Sequence, residues 1–179
     1  MTPTTLDDVR ALARRPATLG GSRLLCIDGP TGAGKSTLAA ALAAREPPAL
    51  VIATDTMLEG WAGLPGLAES VDRLLRPLAE GRPGRYRRWD WLADAWAEDV
   101  EVEPPALLVL EGVGSFARRY RDLVTALVWV DADPAVRRRR WIERDGEASL
   151  VHRDAWVRDE DALYRREGTR AAADLVVTT

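Results

Sequence analysis

The stretch Leu24-Leu25-Cys26-Ile27-Asp28-Gly29-Pro30-Thr31-Gly32-Ala33-Gly34-Lys35-Ser36 decides the fold. Its first half is a short, nearly continuous apolar run, which predicts a buried strand. Its second half fits the pattern G-x-x-x-x-G-K-[ST] and leads into the Ala- and Leu-rich residues of a helix. Strand, glycine-rich loop and helix in that order make a phosphate-binding loop. The glycines let backbone N–H groups turn inward as an anion nest, and the helix start adds unsatisfied amides and the positive end of its dipole. Expected phosphate contacts are Gly29, Thr31, Gly32, Ala33, Gly34 and Lys35, with Lys35 reaching the β- and γ-phosphates of ATP. The Ser36 hydroxyl can reach Mg²⁺, and Thr37 either touches the α-phosphate or is simply a helical residue.

Composition adds weight to position 35. Of the 25 Lys and Arg residues, Lys35 is the only lysine. A compact, flexible ammonium kept where every other basic residue is a planar guanidinium suits a point contact to phosphate.

Working outward, apolar runs at 49–53, 106–111, 126–131 and 174–178 repeat the strand signal of 24–28, and helical segments lie between them. These segments are Ser36 to Arg45, stopped by Pro47-Pro48; Leu67 to Glu80, with Pro77 inside it, so kinked or ending early; and the basic run Asp133 to Asp145. Strands apolar on both faces belong to a parallel sheet covered by helices, an α/β architecture. A first helix over Thr5 to Arg14 is expected against the sheet edge. After a turn-rich break at Gly81 to Gly84, Trp89, Leu92 and Trp96 recur at helical spacing.

A length of 179 residues fits one domain, read here as 1–179, and 46% hydrophobic with 30% charged residues is the composition of a soluble globular protein. The net charge of −3 offers nucleic acid no electrostatic handle. No apolar run approaches the ~18 residues of a membrane span, and Met1 to Arg10 has the acids Asp7 and Asp8 rather than an apolar leader, so a cytoplasmic protein is expected. The lone Cys26 reads as a small buried hydrophobe.

Two acids fall where strands end on the loop's edge of the sheet. Glu111 closes the third strand and is a candidate to hold the metal, or else caps a loop turn. Asp55 follows the second strand and is the candidate general base that takes a proton from an attacking hydroxyl, or caps a short helix, or does both. Arg137, Arg140 and Arg144 are spaced three and four apart, so one helical face can close over phosphates, with Arg140 and Arg144 stabilising transferred charge and Arg137 contacting the nucleotide. Arg138 and Arg139 read as a solvated face.

Taken in order, Asp28 to Thr37, Thr54-Asp55, Leu110-Glu111-Gly112-Val113, Arg121-Asp122-Leu123, Val130-Asp131-Ala132-Asp133 with Arg137, Arg140, Arg144 and Asp145, and Ala173 to Val177 resemble the uridine kinase and phosphoribulokinase family of P-loop kinases, most closely its uridine-kinase-like branch. The resemblance covers most of the chain. It implies a P-loop NTPase fold of three layers, with a five-stranded parallel sheet, helices on both faces and an arginine-bearing helical lid at about 137–155. It also implies ATP as donor, Asp55 as base, and transfer to a hydroxyl of a small acceptor. Where uridine kinases carry Tyr-Asp-Phe and a following histidine, this chain reads Arg85-Tyr86-Arg87-Arg88-Trp89-Asp90-Trp91, and its only histidine is the distant His152.

The acceptor is therefore open. Trp61, in a Gly-flanked segment soon after Asp55, is a candidate for its pocket. Tyr86, Trp89 and Trp91 could stack on a flat acceptor, and Arg88 with its neighbours could hold an anionic one, although core packing competes for Trp89. Three readings follow: a small-molecule kinase, a kinase of a phosphorylated acceptor such as a nucleotide or sugar phosphate, and a nucleotide-binding switch acting through a partner. No guanine-reading Asn-Lys-x-Asp can exist in a chain with one lysine. Oligomeric state is left open, with room for a homo-oligomer.

Overall fold

A computed structural model describes residues 3–46 and 48–179. The phosphate loop lies between β1 (Arg23–Asp28) and α2 (Lys35–Ala43), as the opening stretch requires. Around it run α1 (Pro3–Ala13), β2 (Ala49–Ala53), α3 (Leu67–Ala79), β3 (Gly84–Asp90), β4 (Ala95–Val102), β5 (Leu107–Glu111), β6 (Ala126–Asp131), α4 (Pro134–Asp145), α5 (Leu150–Glu167), α6 (Thr169–Ala172) and β7 (Leu175–Thr178).

The five strands expected from sequence form one sheet in the order β2-β5-β1-β6-β7, every pair parallel. Successive side chains point to opposite faces. Accordingly Leu24 and Cys26 of β1 join Leu108, Leu110 and Leu127 on one face, against α3, Trp156 and Leu163. Leu25 and Ile27 join Val109, Val128 and Val130 on the other face, against α1 and α2. The result is three layers, with the two faces of the sheet buried separately. Cys26 is fully buried, and burial pushes its thiol well above the usual range.

Two expectations need correction. The first helix does not rest on the sheet edge: Leu6, Val9 and Ala13 pack onto the central strands β1 and β6, while Arg10 and Arg14 bond to Glu46 beyond α2. The α2 helix follows the expected span and ends at Ala43 rather than Arg45, and Pro47 lies outside the described residues. The helical spacing of Trp89, Leu92 and Trp96 is coincidental, because the segment is the antiparallel β3–β4 hairpin in which Trp89 faces Trp96. Its tip is shaped by Asp90, whose Oδ1 accepts from the N–H groups of Leu92 and Ala93, and by Asp94 at φ 48°. An aspartate side chain that mimics a backbone turn overrides weak local helix preference.

Pro77 lies in the last turn of α3, so it closes the helix rather than bending it, and the apolar face of Val71, Leu74, Leu75 and Leu78 stays intact. Among the described residues no helix is long and apolar enough to cross a membrane.

Candidate active site

Parallel pairing fixes where the chemistry-bearing residues emerge. Ala53 of β2 pairs with Glu111 of β5, and Glu111 pairs in turn with Ile27 of β1. The carboxyl ends of three adjacent strands therefore open on one edge, where Asp55, Glu111 and the loop after Asp28 meet. A cleft of 1080 Å³ opens there.

The loop is a tight fit. At Gly29, φ is 142° and an added Cβ would come 2.0 Å from the carbonyl oxygen of Val130, so no larger residue can pass beneath β6. Lys35 is 7% exposed and its Nζ donates to the carbonyls of Gly29 (2.7 Å) and Pro30 (3.0 Å). Burial pulls its ammonium below the usual range, while Glu160, then Asp28 and Glu111, pull the other way. Gly32, Gly34, Lys35, Ser36 and Thr37 line the cleft, as does Thr31. Three of the loop residues expected to contact phosphate have their N–H groups engaged elsewhere, that of Gly29 by Asp28 Oδ1 at 2.7 Å. The Ala33 N–H bonds to Pro30 O at 3.1 Å and its methyl is buried in the core, and the Thr31 N–H is taken by Glu160 at 2.6 Å.

Glu111 is 6% exposed at the end of β5. Burial raises its pKa, opposed by the Ser36 hydroxyl beside it and by Lys35. A hydroxyl beside a carboxylate offers the hard oxygen donors that Mg²⁺ takes. Among the described residues no group of three or more His, Cys, Asp or Glu side chains could hold a metal unaided, so an ion here would share its ligands with phosphate oxygens and water. Asp55 sits in the short turn Thr54–Met57. Its carboxylate is open to the cleft, yet the surrounding protein removes enough water to raise its pKa, against the pull of Arg144 and then Lys35.

From α4, Arg140 and Arg144 line the cleft. Arg140 Nη1 donates to Gly32 O (3.2 Å) and to Thr179 Oγ1 (2.8 Å). The Arg144 guanidinium pairs with Asp145 through two bonds, of 2.8 and 2.7 Å, which hold its pKa above the ordinary value. Arg137 is not brought into the cleft: its Nε donates to Ala132 O at 3.2 Å.

One wall of the cleft is aromatic. Trp61 lies near-parallel to Trp141 (centroids 5.6 Å) and to His152 (5.3 Å), and meets Trp91 and Trp156 edge-on at 5.2 and 5.7 Å. Of the residues proposed for the acceptor, Trp61 and Trp91 reach this wall, and Tyr86, Trp89 and Arg88 do not. Tyr86 packs against the core and a separate groove beside Arg73 and Arg87, Trp89 is buried against Trp96, and Arg88 is held by Glu98 at 2.8 and 3.0 Å. The hairpin instead contributes its tip, Trp91 and Leu92. Alternation explains the swap: along a strand, neighbours of a buried Trp89 face away from it, and only the turn can reach across.

Sequence reasoning gave no role to Asp28 or to the part of α5 beyond the expected lid at 137–155. Asp28 is fully buried; its Oδ1 accepts from the N–H of Gly29 (2.7 Å) and Gly114 (3.0 Å) and from the Tyr164 hydroxyl (2.9 Å), and its Oδ2 accepts from the Phe116 N–H (2.9 Å). Burial still raises its pKa despite these bonds. A charged residue closing an otherwise apolar strand was the one available signal.

Comparison with known proteins places this geometry. No protein-family model matches the chain, and no curated protein matches it significantly. Among solved structures, a protein described as "a Possible Uridine Kinase from Bacillus stearothermophilus" superposes with a TM-score of 0.66 at 21% identity, covering 97% of each chain. Another, described as a "putative fructose transport system kinase from Silicibacter sp. TM1040", superposes with a TM-score of 0.64 at 27% identity, covering 98% of each chain. The three-layer α/β fold is thus shared over nearly the full length, and the chain is similar to uridine-kinase-like P-loop kinases.

Proposed function

We propose that residues 1–179 form one kinase domain that transfers the γ-phosphoryl group of ATP to a hydroxyl of a small, uncharged acceptor. The observation that carries this reading is the setting of Asp55. Arg144 and Lys35 act on its carboxylate, and its backbone carbonyl accepts from the indole of Trp91, which meets Trp61 edge-on. A carboxylate placed between phosphate and acceptor, with its pKa raised, is suited to accept the proton of an attacking hydroxyl. The names of the two solved neighbours support a kinase.

In this reading the loop amides and Lys35 bind and orient the nucleotide phosphates, and Arg140 and Arg144 offset the negative charge of the transferred group. Mg²⁺, held by Ser36 and Glu111 together with the nucleotide, would supply charge neutralisation between phosphate oxygens. Trp61, Trp91 and His152 orient a flat or apolar acceptor and exclude water from its hydroxyl. An uncharged acceptor is favoured because the arginines that suggested a phosphorylated one are spent on the hairpin: Arg85 pairs with Glu101 and Arg88 with Glu98. An ATP-consuming enzyme with one buried, unpaired cysteine fits the cytoplasm.

The test is ADP production from Mg·ATP with a panel of nucleosides, their monophosphates, sugars and small alcohols, for the wild type and Asp55→Asn. Turnover with an unphosphorylated acceptor that falls about 10²–10⁴-fold in Asp55→Asn is the expected result. A slow, acceptor-independent hydrolysis that Asp55→Asn leaves unchanged would point instead to a nucleotide switch.

A further inference from the structure

One face of α5 is bonded to the phosphate loop at successive turns. Trp156 Nε1 donates to Thr31 Oγ1 at 2.8 Å, Glu160 Oε1 accepts from the Thr31 N–H at 2.6 Å, and Tyr164 reaches Asp28 just before the loop. Spacing of four residues puts the three side chains on one stripe. Trp156 is 5% exposed and Glu160 2%.

A buried carboxylate is expensive to desolvate, and burial does raise the pKa of Glu160 against the pull of Lys35 and of its bond from Thr31. A helix that merely docked on the sheet could do so with apolar side chains, as Leu163 of the same helix does. Both polar groups are instead spent on a single loop residue, one on its amide and one on its hydroxyl. The next residue, Gly32, is pressed from the α4 side: φ is 80° and an added Cβ would lie 2.5 Å from Arg137 O. The middle of the loop is therefore fixed from outside, which leaves the amides at the start of α2 free of that task.

We infer that Glu160 and Trp156 are positioning residues for nucleotide binding: they clamp Thr31 by its amide and its hydroxyl, so that the loop meets the phosphates already in its bound shape. This role needs no contact between either side chain and the phosphate. The gain is that ordering of the loop is completed before binding rather than during it. The inference rests on the nucleotide-binding reading of the loop, and its test needs no acceptor.

Calorimetric titration with Mg·ADP, in which no acceptor is needed, tests it on the wild type and on Glu160→Ala, Glu160→Gln, Trp156→Phe and Thr31→Val, with folding checked by circular dichroism and melting. Glu160→Ala should weaken binding about tenfold or more, since it removes the bond and leaves a buried amide unpaired. Glu160→Gln, whose side-chain oxygen can still accept from Thr31, should restore binding to within about threefold of the wild type. Trp156→Phe should weaken binding by about threefold to tenfold, and should add nothing in a Thr31→Val background, because both changes delete the same bond. A folded Glu160→Ala protein that melts lower but binds Mg·ADP like the wild type would reduce both residues to structural roles and overturn the clamp. So would additive effects of Trp156→Phe and Thr31→Val. If Glu160→Ala fails to fold, the Trp156 and Thr31 pair decides alone. A wild type that binds neither Mg·ADP nor Mg·ATP would sink the reading of the loop itself, and the clamp with it.

Discussion

The indole N–H of Trp91 donates to the backbone carbonyl of Asp55 at 3.1 Å. This bond ties the tip of the β3–β4 hairpin to the residue assigned as base, and it uses the carbonyl, so the Asp55 carboxylate is left for chemistry. Trp91→Phe deletes the bond and keeps most of the ring. Steady-state kinetics with a responding acceptor should show kcat lowered by about threefold to tenfold, with the KM for ATP unchanged.

As the proposed base, Asp55 predicts a pH signature for the reaction. A base works when it has lost its proton, so kcat/KM should rise with pH, and the midpoint of that rise should lie above the ordinary aspartate value of 3.8 because the folded pKa is raised. Arg144 is the largest influence opposing that rise. Arg144→Ala should therefore move the limb to higher pH as well as slow turnover, and a limb that stays in place would separate Arg144 from the base.

Trp61 touches four other rings, so its removal should act on one half of the cleft. Trp61→Ala is expected to raise the acceptor KM by at least about tenfold while Mg·ADP affinity changes less than about threefold. Some loss of melting temperature will accompany it, since the ring also packs on the core.

The Asp28 carboxylate accepts four bonds on two oxygens. An Asn there has one acceptor oxygen and turns an amide toward N–H donors, so Asp28→Asn should destabilise the fold by about 3 kcal/mol, and Tyr164→Phe by about 1 kcal/mol, in denaturant titrations. The pH dependence follows from the raised folded pKa. Between the ordinary value of 3.8 and the folded one, the folded protein keeps a proton that the unfolded chain has released. The contribution of Asp28 to stability is thus greatest below that window and falls as pH rises through it. The fall should be shallower in Asp28→Asn, which cannot titrate.

Sequence was most legible where a signal is local. The apolar runs of β1, β2, β5, β6 and β7 and the glycine pattern of the loop depend on neighbours a few residues apart, and both emerged within a residue of expectation. The hairpin was misread because Trp89, Leu92 and Trp96 satisfy a helical period by accident, while the decisive feature, the Asp90 side chain folding back on the Leu92 and Ala93 amides, carries no periodicity at all. Trp156, Glu160 and His152 escaped as site residues for a different reason. Their partners Thr31 and Trp61 lie about a hundred residues away, and α5 has a mixed surface that shows no clean apolar stripe.

Lys35 has a practical consequence. It is the only lysine in the chain and is nearly closed to solvent, with its Nζ held by two carbonyls of its own loop. A lysine-specific protease therefore has a single place to cut, and that place is shut in the native protein. Each scission counts one opening of the loop or of the whole fold, so the rate of appearance of two fragments is a label-free clock for how often the site comes undone.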